Sequence, residues 1–175
     1  TGNLNADDIA YLNSLPNTLY NLDMLDMSGT TLEGNTITQR MFYSTLYKVI
    51  KLPSNVTSIA AEAFRDSRRL REVTLPDALE TIGSYAFAGS GLTSITIPDN
   101  VTSIGEWTFC KCSLLTSIII QDSVTNIGCG TFFNCISLSD VYYGGTEEQW
   151  NEIDIGSKNE WLNRATIHYN ISETN

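Results

Sequence analysis

Between Pro53 and Tyr143 the chain writes one sentence four times. PSNVTSIAAEAFRDSRRLREVTL (53–75) is followed by PDALETIGSYAFAGSGLTSITI (76–97), PDNVTSIGEWTFCKCSLLTSIII (98–120) and QDSVTNIGCGTFFNCISLSDVYY (121–143), a period of 23 residues and once 22. A more diverged copy, TLEGNTITQRMFYSTLYKVIKL (31–52), precedes them, and LYNLDMLDM around Leu22 keeps only the strand-like part of another. A unit this short cannot bury its apolar side alone, so successive copies must stack on one another.

The aligned columns name what the stack buries. Ile37, Ile59, Ile82, Ile104 and Ile127 form one column, and Phe42, Phe64, Phe87, Phe109 and Phe132 another. Three more columns have strand spacing: Tyr47, Leu70, Leu92, Leu115, Leu138; Ile50, Val73, Ile95, Ile118, Val141; and Leu52, Leu75, Ile97, Ile120, Tyr143. Their L-x-x-I-x-I rhythm is the strand half of a leucine-rich repeat. Copies stacked at sheet spacing, ~4.8 Å, pair these strands into one parallel sheet. Small residues before the phenylalanines (Ala63, Ala86, Thr108, Thr131) and Gly83, Gly105 and Gly128 after the isoleucines fit a tight helical turn on the opposite wall.

An open stack needs its ends covered. NADDIAYLNSL predicts an N-terminal helix capped by Asn5, with Asp7 and Asp8 favourably placed in its first turn. Two S/T-x-x-E/Q patterns, Thr146 with Gln149 and Ser157 with Glu160, predict two short C-terminal helices that bury Trp150 and Trp161. A last strand, Thr166–Tyr169, then pairs with Val141–Tyr143. The predicted architecture is an α/β repeat solenoid with its parallel sheet on the concave side and short helical turns on the convex side. Residues 1–30 form the N-terminal cap, 31–143 five repeats of 22–23 residues, and 144–175 the C-terminal cap.

All four cysteines fall within this array. Cys112 and Cys135 share the core-facing column of Ser67 and Ser90, whereas Cys110 and Cys129 sit in variable columns expected on the convex surface. Parallel Cβ vectors leave Cys112 and Cys135, the pairing nearest to feasible, as free thiols, and Cys110 and Cys129 stand roughly 8 Å apart, so no disulfide is expected. Two inward and two outward thiols cannot converge on a tetrahedral metal.

Taken together, P-D-x-V-T-S-I-G-x-x-x-F-x-x-C-x-x-L-x-x-I-x-I resembles the BspA-like, or Treponema-type, leucine-rich repeat of bacterial surface proteins, from about Thr31 to Tyr143. The ending YYGGTEEQWNEI...ATIHYN is similar to caps that follow such arrays. Ser67 and Ser90 depart from the motif cysteine, and the first copy lacks the leading Pro-Asp. The resemblance implies a secreted or surface-anchored protein that binds other proteins, with adhesion to host matrix or to neighbouring cells among the roles of relatives. It implies no catalysis and no cofactor. Repeats of this type also serve as spacers that carry another domain, and a glycan-binding module is the other alternative for this chain.

In such a solenoid the strand residues between the buried columns face outward on the concave side. They form two rows: Val49, Glu72, Ser94, Ser117, Asp140, and Lys51, Thr74, Thr96, Ile119, Tyr142. The candidate ligand-binding residues are therefore Glu72, Thr74, Ser94, Thr96, Ser117, Ile119, Asp140 and Tyr142, with Tyr142 as the favoured anchor. Ser and Thr are also ordinary exposed strand residues. Tyr85 and Trp107, equivalent positions in adjacent copies, form a candidate aromatic patch on the convex side, for a partner or sugar, or as packing against neighbouring loops.

Other functions find little support. Lys+Arg 10 against Asp+Glu 20 gives a net charge of -10, which disfavours nucleic acid and anionic membranes. Arg65, Arg68, Arg69 and Arg71 cluster beside Glu62, Asp66 and Glu72 and read as a locally balanced face. No apolar run approaches membrane-spanning length, and TGNLNADDIA lacks the regions of a signal peptide, so neither signal nor anchor is expected within these residues. The single histidine, His168, reads as a surface residue of the last strand, with no motif of a catalytic triad around it. A monomeric protein-binding module, neither enzyme nor metalloprotein, is the expectation.

Overall fold

Parallel strand pairing runs along both walls of the array. The structure is a computed structural model that describes residues 2–14 and 23–171. In chain order its strands are β1 (Asn3–Leu4), β2 (Met24–Asp26), β3 (Thr31–Leu32), β4 (Thr36–Ile37), β5 (Val49–Lys51), β6 (Ser58–Ile59), β7 (Glu72–Thr74) and β8 (Thr81–Ile82). They continue as β9 (Ser94–Thr96), β10 (Ser103–Ile104), β11 (Ser117–Ile120), β12 (Asn126–Ile127), β13 (Asp140–Tyr143), β14 (Asp154–Ile155) and β15 (Thr166–His168). Leu22, in the strand-like segment before the first copy, lies outside the described residues; the strand there, β2, begins at Met24.

The concave wall joins β2-β5-β7 to β9-β11-β13-β15. The two sheets abut at β7 and β9, where the Thr93 N–H donates to the Arg71 carbonyl at 3.2 Å. The last strand pairs with β13 as its sequence predicts, Val141 opposite Ile167. The other wall carries a six-stranded ladder in the order β14-β12-β10-β8-β6-β4, each strand two residues long. It contains the isoleucine column, Ile37 beside Ile59, Ile59 beside Ile82, Ile82 beside Ile104, and Ile104 beside Ile127. It then extends to Ile155, beyond the last copy legible in the sequence.

The turns of the opposite wall are wound around left-handed residues instead of a regular helix. Arg40, Glu62, Tyr85, Trp107 and Gly130 share one column and Ser44, Asp66, Gly89, Lys111 and Asn134 a second, all with φ between +52° and +69°. Each turn donates to the next copy: the Phe42, Phe64, Phe87 and Phe109 N–H groups bond to the carbonyls of Ala63, Ala86, Thr108 and Thr131. Such close stacking explains the glycines, since a Cβ on Gly105 would lie 2.9 Å from the backbone of Gly83 and Ile82.

Between the walls every expected column is buried. The five phenylalanines form a continuous stack, with ring centroids 4.9 Å apart from Phe42 to Phe64 and from Phe64 to Phe87, then 5.6 Å to Phe109 and to Phe132. Each ring is fully buried, which stabilises the fold by about 1.5–3 kcal/mol per side chain.

The ends are capped by different means. Helix α1 (Ala6–Ser14) begins with Asn5, whose side-chain oxygen accepts from the Asp7 and Asp8 N–H groups while Asp8 accepts from the Asn5 N–H. Helix α2 (Glu147–Asn151) has the expected reciprocal box between Thr146 and Gln149, and it buries Trp150. The second expected box does not form. Ser157 and Lys158 instead continue the repeat turn, with Lys158 left-handed at φ 65° and the Ser157 carbonyl accepting from Gly130. A 3-10 turn at Leu162–Arg164 follows, and Trp161 is only partly buried. A local S-x-x-E pattern lost here to the geometry of the preceding copy.

Candidate binding surface

Strand pairing turns the sequence columns into two rows on the concave face. Val49 lies opposite Glu72, Ser94 opposite Ser117 and Ser117 opposite Asp140; Lys51 lies opposite Thr74, Thr96 opposite Ile119 and Ile119 opposite Tyr142. Each row is longer than the alignment indicates. Met24 and Asp26 precede Val49 and Lys51, while Thr166 and His168 follow Asp140 and Tyr142.

Within this face lies a groove of ≈ 720 Å³. Glu72, Thr74, Ser94, Thr96, Ser117, Ile119 and Tyr142 line it, with Asp77, Asp99, Asn100 and Gln121 from the loops after the strands. Those loops are tied to one another: the Asn100 side-chain amide donates to the Asp77 carbonyl at 2.7 Å, and the Ser123 hydroxyl to the Val101 carbonyl at 2.9 Å. Column reasoning found the strand residues of the groove but not these loop residues, because the loop follows the last strand-patterned position in each copy.

Asp140 stands beside the groove and does not line it. Its carboxylate accepts from the Ser139 hydroxyl at 2.7 Å and lies 2.8 Å from His168 Nε2. The Ser139 hydrogen bond first, then that of His168, holds the Asp140 carboxyl below its ordinary range. The His168 ring stacks on Tyr142 with centroids 4.6 Å apart. His168 thus props the aromatic end of the concave face, a role that treating it as a lone surface histidine missed. Its place opposite Tyr142, two residues into the predicted last strand, was the available signal.

The convex pair is brought together but is not a bare platform. The Tyr85 and Trp107 rings stack 6.2 Å apart, with the Arg65 guanidinium 5.5 Å from the centroid of Tyr85 and the Lys158 ammonium 5.2 Å from that of Trp107. Phe133 meets Trp107 edge-on at 5.7 Å. Trp107 also covers Gly130, where an added Cβ would come within 2.5 Å of the ring. The stacked pair is therefore flanked by a cation on each outer side, Arg65 over Tyr85 and Lys158 over Trp107.

The four thiols are unbridged. Cys112 and Cys135 face the core, and Cys129 is half-buried beside Ser157. Cys110 departs from the expected surface position: it is buried. Among the described residues no three His, Cys, Asp or Glu side chains gather as metal ligands, and no helix is long and apolar enough to cross a membrane. Of the arginine cluster, Arg65 pairs with Glu62 and Asp66, Arg68 with Asp66, and Arg69 with the more distant Asp23, while Arg71 donates to the Arg68, Leu70 and Gly91 carbonyls.

The repeat also matches a known family across most of its length. Residues 35–153 fit the BspA type leucine rich repeat region, in six copies. The chain belongs to this family. A solved leucine rich cell surface protein of Faecalibacterium prausnitzii shares 30% identity and a TM-score of 0.70, over 75% of this chain and 35% of that one. A Treponema pallidum leucine rich repeat protein shares 27% identity and a TM-score of 0.63, over 77% and 69%. The pneumococcal vaccine antigen PcpA, at 19% identity and a TM-score of 0.65 over 86% and 42%, shares the fold. The BspA-type chain thus spans about a third of the Faecalibacterium protein. No protein with a curated description matches it. Its relatives include bacterial cell surface proteins, and its fold is one generally used for binding and scaffolding.

Proposed function

We propose that this BspA-type array is a secreted or cell-surface recognition module, adhesive in role and without catalytic activity, which binds a protein partner in its concave groove. The observation that carries this reading is the groove of ≈ 720 Å³ along the strand face. The register-paired strands β9, β11 and β13 supply most of its floor, so a partner meets a largely preformed surface and little ordering cost attends binding. Ile119 and Tyr142 give it an apolar corner of the kind that dominates interface energetics, within a polar surround.

Biolayer interferometry of the immobilised chain against a panel of host matrix proteins, with an Ile119→Ala/Tyr142→Ala variant alongside, tests it. Saturable binding that the double variant weakens at least tenfold is expected. Absence of saturable binding to the panel and to whole matrix extract assigns the array to a spacer role instead. Saturable binding to glycan arrays alone would replace the protein partner with a sugar.

A further inference from the structure

We infer that the segment seated in the concave groove is a basic, extended stretch of polypeptide that places a large apolar side chain near Ile119 and Tyr142 and its positive charges against Glu72, Asp77 and Asp99. This rests on the groove being the protein-binding site and adds what kind of chain it takes.

The first argument is charge. The groove lining includes the carboxylates of Glu72, Asp77 and Asp99 and no Lys or Arg. Elsewhere several acids are held by bases, Asp23 by Lys48, Asp26 by Lys51 and Glu62 by Arg40. Among the described residues no cation pairs with any of the three groove carboxylates, and all three are exposed. Lys51, which continues the Thr74 row, is held by Asp26 at 3.0 Å. The groove is thus a negative concavity, on a chain of net charge -10, whose carboxylates have no ion-pair partner among the described residues. Such a cleft attracts cationic segments and repels acidic ones.

The second argument is spacing. From the strand of Glu72 to that of Tyr142 there are three steps of sheet spacing, ~14 Å in all. An extended peptide advancing ~3.3 Å per residue covers that in about four residues. The complementary motif is therefore a Lys or Arg separated by about four residues from a large aliphatic or aromatic side chain, lying across the strands. A neutral glycan would use the Tyr142 end but not the three charges.

Fluorescence anisotropy with the whole chain and labelled dodecapeptides decides the matter. One probe carries Lys-Arg four residues before Leu-Tyr in a Gly-Ser background; the others replace Lys-Arg by Glu-Glu or Leu-Tyr by Ser-Ser. The basic-apolar peptide should bind at least tenfold tighter than the other two, with affinity falling as salt is raised. A Glu72→Gln/Asp77→Asn/Asp99→Asn variant should lose about tenfold toward that peptide, and most of the salt dependence, at unchanged Tm. No binding of the basic peptide, or equal binding by the triple variant, overturns the inference. The matrix partner separates this from the underlying reading: if Ile119→Ala/Tyr142→Ala abolishes its capture while the triple variant captures it normally, the groove stands and its basic preference falls. If neither variant affects capture, the groove itself is the wrong surface.

Discussion

Ser67, Cys112 and Cys135 look like small residues filling one core column, yet each is a donor. The Ser67 hydroxyl bonds to the Phe42 carbonyl at 2.7 Å, and the Cys112 and Cys135 thiols bond to the carbonyls of Phe87 and Phe109 at 3.1 Å. Ser90, the fourth member, lies 3.3 Å from the Cys112 sulfur. The column therefore requires a small side chain with a proton to give, which is why serine and cysteine interchange there. Cys112→Ser should cost under about 1 kcal/mol, and Cys112→Ala about 1–2 kcal/mol, in urea denaturation at neutral pH. The two proteins also differ from wild type in alkali. Burial pushes the Cys112 thiol from its ordinary 9.0 up to about 12, so the folded state holds a proton that the unfolded chain releases. The stability tied to that proton is complete below pH 9 and is lost as the pH rises from 9 to about 12. Both variants should show a shallower alkaline decline than wild type, Cys135 supplying the remainder, since burial raises its thiol as well. The inward direction of this column was legible from its spacing to the phenylalanine. The hydrogen bond was not, because its acceptor belongs to the copy before.

At the scale of the element, the C-terminal cap is a repeat made without the repeat sequence. In the first four copies the phenylalanine N–H finds a backbone carbonyl of the next copy; in the last, Phe132 donates at 2.9 Å to the side-chain oxygen of Asn159. The Asn159 amide donates in turn to the carbonyls of Gly128 and Gly156, at 3.0 and 2.8 Å, as the Thr131 hydroxyl does to Gly105 and Gly128 one copy earlier. One buried asparagine thus stands in for both the backbone and the threonine of an absent copy. Asn159→Ala leaves the buried Phe132 N–H without an acceptor and should cost about 2–3 kcal/mol. Hydrogen exchange should locate the damage, with the Phe132 amide losing protection while that of Phe42 keeps it. Asn159→Asp, which restores the acceptor but not the donors, should recover only part. Period analysis could not find this residue, since the interval from Gly130 to Lys158 is longer than a repeat and hides the equivalence. For the same reason Ser157 and Glu160 looked like a helix start.

At the scale of the molecule, the concave rows are legible in the sequence because stacking in register converts sequence columns directly into rows of neighbours. What the strand columns do not cover is not: the contact of His168 with Tyr142 from the next strand, and the Asp77, Asp99 and Asn100 loops that open two copies and complete the groove. The same near one-dimensional order makes the array only as strong as its joints. The concave wall's strand pairing is interrupted between β7 and β9, where the Thr93 to Arg71 bond supports the contact. Behind it, Phe64 and Phe87 stack at 4.9 Å and continue the core across the gap. Phe87→Ala removes a fully buried ring from that place and opens a cavity between two stacked neighbours, at a cost of about 3–5 kcal/mol. Because β7 and β9 both line the groove, its two halves should loosen together with the joint. Urea unfolding of Phe87→Ala should therefore show a reduced m-value or two separated transitions where wild type shows one, and partner binding should fall in proportion to the population in which the joint is closed. A single transition of unchanged slope, merely shifted to lower urea, would mean that the backbone ladder of the opposite wall, and not the phenylalanine stack, couples the two halves.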